Sequence, residues 1–221
     1  MRRFEFAVDR EHARAVNEVV ANLRRLRLLA LAAAIVLGLG TAGLIWLNHP
    51  YSFLLAIAFA LGTLIAVFVA VWTPYRSRVD KLYAEGDLVP AVVSGPHAKG
   101  VTLLALVNLA KPEADPRYAL ITRVVRALPG HRVEPGEQVP AVTVRADRVP
   151  RSVADLRQVV SAMPIAWGTR DGAVIERARA AIGEAEWKLL ADNLSLASKV
   201  QGVDTKRLLL DPHQLPEELR G

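Results

Sequence analysis

The chain has 221 residues, with 28 Lys and Arg against 22 Asp and Glu, a formal charge of +6 and a pI near 10.0. Apolar residues make up 52%, only 23% are charged, and mean hydropathy is +0.24, which argues against a disordered chain and against an ordinary soluble one. Cysteine is absent, so disulfides, thiolate metal sites and cysteine nucleophiles are excluded.

The first 27 residues carry seven Arg against four acidic residues. From Asp9, a candidate N-cap, Val16, Val19, Val20, Leu23 and Leu26 recur at helical spacing and predict a basic amphipathic helix running into the apolar stretch that begins at Leu28. Three roles fit it: attachment to anionic headgroups, packing on a soluble domain or partner helix, or a topology signal alone.

No Asp, Glu, Lys or Arg occurs from Leu28 to Tyr75. The segment 48–52, Asn-His-Pro-Tyr-Ser, divides this stretch into 28–47 and 53–72, 20 residues each. At about 1.5 Å per residue each half reaches roughly 30 Å, the thickness of a bilayer core. The expectation for 28–75 is a transmembrane helical hairpin. A signal peptide fits poorly, because its n-region would be too long and a second span comes at once. Arg24, Arg25 and Arg27 precede the first span, Arg76, Arg78 and Lys81 follow the second, and the link has no Lys or Arg. The positive-inside rule then puts both termini in the cytoplasm of a bacterial inner membrane, with Trp46, Tyr51, Trp72 and Tyr75 at the interfaces.

Small residues recur every four positions in both spans: Ala30, Ala34, Gly38 and Ala42, then Ala58, Gly62, Ala66 and Ala70. Folding about Pro50 pairs 42 with 58, 38 with 62, 34 with 66 and 30 with 70. Such a seam lets helices approach closely in lipid; it would serve a second subunit equally well. The spans hold no ionisable side chain, which argues against a transporter built from these two helices alone.

Residues 76–221 are one domain's length. The β-rich runs 88–94, 101–109, 118–126 and 138–146, separated by Pro- and Gly-containing turns, predict a small SH3- or OB-like β-barrel over 76–148. Helices are expected over 149–201, packed on the barrel. Ser152 with Asp155 predicts a start for a helix over 152–162, and Thr169 or Asp171 starts a long helix to about Ala197 with Val174, Ala178, Ile182, Ala185 and Leu189 as its apolar stripe. The remainder, 202–221, is polar with two prolines and reads as a loose tail.

Chemistry is sparse. The string 95–100, Gly-Pro-His-Ala-Lys-Gly, opens like a phosphate-binding loop but lacks the Lys-Ser/Thr that should come next and leads into a strand, so it reads as a hairpin turn. His12, His49, His97, His131 and His213 show no metal-ligand spacing, although His97 and His131 fall in loops that could meet. No nucleophile elbow or zinc-protease motif occurs. Arg145, Arg148 and Arg151 form a basic cluster open to headgroup phosphate, with a solvated face as the plainer reading. Nucleic-acid binding is disfavoured, since Tyr118 is the lone stacking candidate on the strands. Trp167, in 164–169, and Trp187 are either core residues or aromatic anchors for a partner. An apolar helical face left uncovered at Trp187 would mark docking.

The strings GDLVPAVV at 86–93, PGHRVEPGEQVPAV at 129–142 and PIAWGTRD at 164–171, with Glu186-Trp187, resemble a family of uncharacterised two-helix membrane proteins of mycolic-acid actinobacteria such as corynebacteria. The likeness covers most of 20–197 and implies architecture and habitat, with no activity or catalytic residue to carry over. The sequence thus leads to a non-enzymatic, membrane-tethered interaction or regulatory module of an envelope or transport complex. It needs no cofactor, and its partners are the bilayer, a membrane or cytoplasmic protein, or a second copy. A homo-oligomeric pore and an enzyme acting on lipid headgroups are the alternatives.

Overall fold

A computed structural model of the chain describes residues 2–47, 49–76, 79–110, 116–146 and 159–220. Two compact units emerge: residues 17–79, and a second made of residues 1–16 together with 80–221.

The first unit is a helical hairpin of α2 (Glu18–Trp46) and α3 (Pro50–Arg76). Asn17 caps α2, its side-chain oxygen accepting from the N–H groups of Val19 and Val20. Pro50 opens α3, where its missing N–H costs nothing. Just inside that helix, Ser52 Oγ donates to His49 O at 2.6 Å and accepts from His49 N at 3.1 Å, fixing the link. Each contains a stretch long and apolar enough to cross a membrane, within 18–46 and 51–72. Between Leu26 and Trp72, 22 large apolar side chains are exposed, whereas elsewhere among the described residues only Val133, Val203 and Leu209 are. At about 1–2 kcal/mol each, leaving those side chains in water would cost more than a domain's whole stability. These are two candidate membrane helices, not the core of a soluble fold.

The second unit begins with an extended strap, residues 2–9, and the short helix α1 (Arg10–Val16). After the hairpin the chain returns through α4 (Val79–Glu85) into a six-stranded antiparallel sheet. Its strands are β1 (Leu88–His97), β2 (Gly100–Asn108), β3 (Tyr118–Val125), β4 (Gln138–Ala146), β5 (Val159–Pro164) and β6 (Arg207–Leu209), in the order β5-β4-β1-β2-β3-β6. The four β-rich runs of the sequence are β1 to β4. Pro90 and Pro140 face each other across β1 and β4. Neither can donate, so they form a non-hydrogen-bonded pair whose N positions point outward. There the ladders to β2 and β5 begin only at Ala91 and Ala141, and no sheet bond is lost.

The sheet is curled into a half-barrel. Laid flat, β3 and β5 would lie four strand spacings apart, about 19 Å. Instead Arg123 on β3 donates to Ser161 Oγ at 2.9 Å and Ala162 O at 3.0 Å on β5. A bulge between Val93 and Gly95 sharpens the bend of β1. The turn into β2 needs Gly100, which sits at φ +138° with Val125 O where a Cβ would go. The candidate phosphate loop is this turn.

Three helices cover the sheet: α5 (Gly172–Ala180) against β4, α6 (Glu184–Asp192) against β1 and β2, and α7 (Ala197–Gly202) against β3. Several expectations need correction here. The helix expected over 152–162 is a strand from Val159, because the β-branched pair Val159-Val160 extends the sheet beside β4; residues 152–158 lie outside the described residues. The sheet therefore does not end at 148. The long helix to Ala197 is broken at 181–183, where Gly183 takes an extended backbone and caps α6. Its buried face is Ile175, Ala178, Ile182, Trp187, Leu189 and Leu190, while Val174 and Ala185 stay half-exposed. The tail is not loose: β6 pairs with β3 from Ala119 to Ile121, and Leu215 is buried.

Candidate functional site

In the second unit the strap, α4, β3 and α5 converge on the string from Pro164 to Asp171. Pro164 ends β5 and its carbonyl accepts from Tyr83 Oη at 3.1 Å. A 3-10 turn, Ile165–Trp167, comes next. Trp167 is 0% exposed, its Nε1 donates to Ala127 O at 2.8 Å, and the Arg123 guanidinium lies 4.9 Å from its ring centre. One arginine thus bonds β5 and stacks on the tryptophan that β5 leads into. Gly168 must be glycine for space: a Cβ there would sit 2.8 Å from the Tyr83 ring and 2.9 Å from Phe6. Asp171 caps α5 by accepting from Ala173 N at 2.9 Å.

The strap fills the other side. Leu88 N donates to Arg2 O, and Asp9 N donates to Gly168 O at 2.8 Å. Phe6 meets Tyr83 edge-on at 5.1 Å. Arg10 on α1 holds Asp80 at the entrance to α4, Nη2 to Oδ2 at 2.7 Å and Nε to the same oxygen at 3.1 Å. His12 is 4% exposed, with Nε2 2.9 Å from Ala166 O and Nδ1 accepting from Arg170 Nε at 3.0 Å. Asp9 caps α1, accepting from the N–H groups of Glu11 and His12. Its carboxyl is held below the usual range, first by the His12 N–H, against partial desolvation, and with help from Arg170. Of the three roles weighed for the first 27 residues, residues 2–16 pack on the soluble domain. The remainder belongs to α2. A cavity of about 480 Å³ opens beside the strap, walled by Phe4, Phe6, Val8, Arg10, Asp80 and Tyr83.

A second feature lies in the loop between β3 and β4. His131 does not meet His97. Its side chain is 1% exposed, Nδ1 lies 3.0 Å from Glu137 Oε1, and Nε2 is buried without a partner. Burial pushes the Glu137 carboxyl up, but the N–H groups of Arg132 and Val133 and the His131 ring outweigh it and hold it low. Val133 sits at φ +65°, in the left-handed region a β-branched residue avoids. His97 instead accepts from Lys99 N within the β1–β2 turn. Among the described residues no three His, Asp or Glu gather as a metal-binding group.

The other candidates fall elsewhere. Trp187 is 7% exposed and donates to Arg179 O at 3.4 Å; the α6 face it marks is covered, so neither Trp187 nor Trp167 presents its ring to a partner here. Arg145 ends β4 near Ala146, with nothing described of its side chain, and Arg148 and Arg151 lie outside the described residues. In the hairpin, Ala30, Ala34 and Ala70 are buried and Gly38, Gly62 and Ala66 half-buried, but Ala42 and Ala58 are exposed. Toward the link the contact shifts to Gly40 against the Phe59 ring and to buried Ala56. Gly62 faces Leu37. Sequence reading missed His12, Arg170, Tyr83 and Arg123. The one signal for the strap was the alternation Phe4, Phe6, Val8 ahead of the Asp9 cap, which suits an extended segment with one apolar face.

Comparison with known proteins places this geometry. No curated protein matches the chain. A crystal structure described as "a putative membrane protein from Corynebacterium diphtheriae" is similar at 34% identity and a TM-score of 0.50, over 56% of this chain and 100% of that one. The profile of the family "Protein of unknown function (DUF3239)" matches residues 75–198. That match spans more than half of the chain, from the end of α3 through the sheet to α7, and the chain belongs to the DUF3239 family.

Proposed function

We propose that this chain is an inner-membrane protein whose hairpin crosses the bilayer twice, with both termini and the half-barrel in the cytoplasm, and that it acts there as a non-enzymatic interaction or regulatory module. One observation carries the reading. The soluble unit is built from both flanks of the hairpin: Arg10, Phe6 and Asp9 come before it, and Asp80, Tyr83 and Gly168 after it. Two flanks that share one fold lie on one side of the membrane, which requires an even number of crossings. Arg24, Arg25 and Arg27 before the charge-free stretch support the cytoplasm as that side, by the positive-inside rule. A domain held at the membrane by two helices has a raised effective concentration for membrane-bound partners, which suits a module better than a free enzyme.

Topology is testable without background, because the chain has no cysteine. His49→Cys should react with an impermeant maleimide from outside the cell, and Lys99→Cys only after permeabilisation. The reverse pattern would overturn the orientation. For the role, cross-linking in cells with the full chain, beside a control lacking 84–221, should capture a partner that the truncation loses. Self-cross-links alone at a fixed stoichiometry would instead favour an oligomeric assembly.

A further inference from the structure

We infer that His12 is a proton-sensitive clasp: its neutral form fastens residues 2–16 to the domain on the far side of the hairpin in sequence, and its protonation releases them. The argument is one of donors and acceptors. Ala166 O can only accept, so Nε2 must carry a hydrogen to meet it at 2.9 Å. Arg170 Nε can only donate, so Nδ1 must be bare to accept from it at 3.0 Å. Both ring nitrogens are thereby assigned, and the docked histidine is neutral. A second ring proton would set an imidazolium N–H against a guanidinium N–H at the distance of a hydrogen bond, two donors and two cations with no acceptor between them. The site is buried, so water cannot screen the conflict.

The charged groups around the ring bear on this. Arg170, from the turn after β5, opposes protonation. Asp9, from the cap of α1, favours it by charge; its Oδ1 accepts from the backbone N–H groups of Glu11 and His12. Asp171, next to Arg170, caps α5. Glu11 is exposed, and Arg10 is turned to Asp80. In the docked arrangement Nδ1 faces the Arg170 donor. The Asp9 carboxyl lies below its usual range, so the cap is lost only in more acidic solution than the range where histidine titrates, between about pH 8 and pH 5. Other contacts of the strap include Arg10 with Asp80, Arg2 with Glu186 and Phe6 with Tyr83. Release would uncover the Gly168 and Ala166 carbonyls and the Tyr83 face.

Hydrogen–deuterium exchange of the full-length protein in lipid nanodiscs tests this. Corrected for intrinsic rates, protection of amides 9–16 should be lost as the pH is lowered from about 8 to about 5.5, while β1 to β3 keep theirs. In Arg170→Gln the amide takes the place of Nε and can donate to a bare Nδ1 or accept from a protonated one, so protection should become independent of pH. In His12→Gln, which cannot titrate, it should also stay constant. Wild-type protection that does not change with pH overturns the clasp. So does a pH-dependent loss that persists in either variant. Should one variant fail to dock at the higher pH, the wild type and the other variant still decide.

Discussion

Single residues show where this fold tolerates strain. Val133 is 40% exposed and sits at φ +65°, so its side chain contributes little packing to offset a backbone cost of about 1–3 kcal/mol. Val133→Asn should therefore stabilise the protein by about 1 kcal/mol in thermal or denaturant unfolding; an unchanged or lower stability would contradict that reading. Glu137 holds the same loop through Val133 N at 2.8 Å and His131 at 3.0 Å. Its carboxyl is depressed in the folded protein although burial raises it. It therefore contributes stability above the unfolded carboxylate range, and that contribution is lost as pH falls through the folded value. Glu137→Gln should cost about 1–2 kcal/mol near neutrality and flatten acid unfolding; an equal loss at all pH values would mean that its charge is not involved. None of this was legible beforehand. A loop histidine and a loop glutamate carry no periodic signal.

At the scale of elements, what the sequence revealed was whatever local pattern controls. The two charge-free stretches, the four runs that became β1 to β4, and the Asp171 cap were all readable, because hydrophobic period and turn chemistry act over a few residues. The elements misread are those decided at long range. β5 forms where β4 offers its β-branched start an edge, and β6 where β3 does. The hairpin seam shows the same limit. Its four-residue repeat was visible, but helix crossing geometry decides which small residues meet, and toward the link Gly40 replaces Ala42. A Cβ on Gly40 would lie 2.8 Å from the Phe59 ring, while one on Gly43 meets nothing within 4 Å. Gly40→Val should thus weaken the hairpin by about 1–3 kcal/mol, measured by unfolding in detergent, and Gly43→Val should not. Equal effects would remove the argument from close approach.

For the whole molecule, the governing fact is that residues before the hairpin complete the domain after it. Deleting residues 2–16 from the full chain should lower the stability of the half-barrel by several kcal/mol, because Tyr83 and the Gly168 carbonyl lose their cover; unchanged unfolding would show that the strap is an ornament on a self-sufficient domain. The most direct measurement starts from the cysteine-free chain. Arg10→Cys and Asp80→Cys, whose native side chains lie 2.7 Å apart, are joined with a short bismaleimide in intact membranes, and a protease site placed in the link at 47–52 is then cut. The result expected is an intramolecular bond, so that the two halves still migrate as one covalent species. Halves that separate, or bonds that form only between molecules, would contradict a single fold built from both sides of the hairpin.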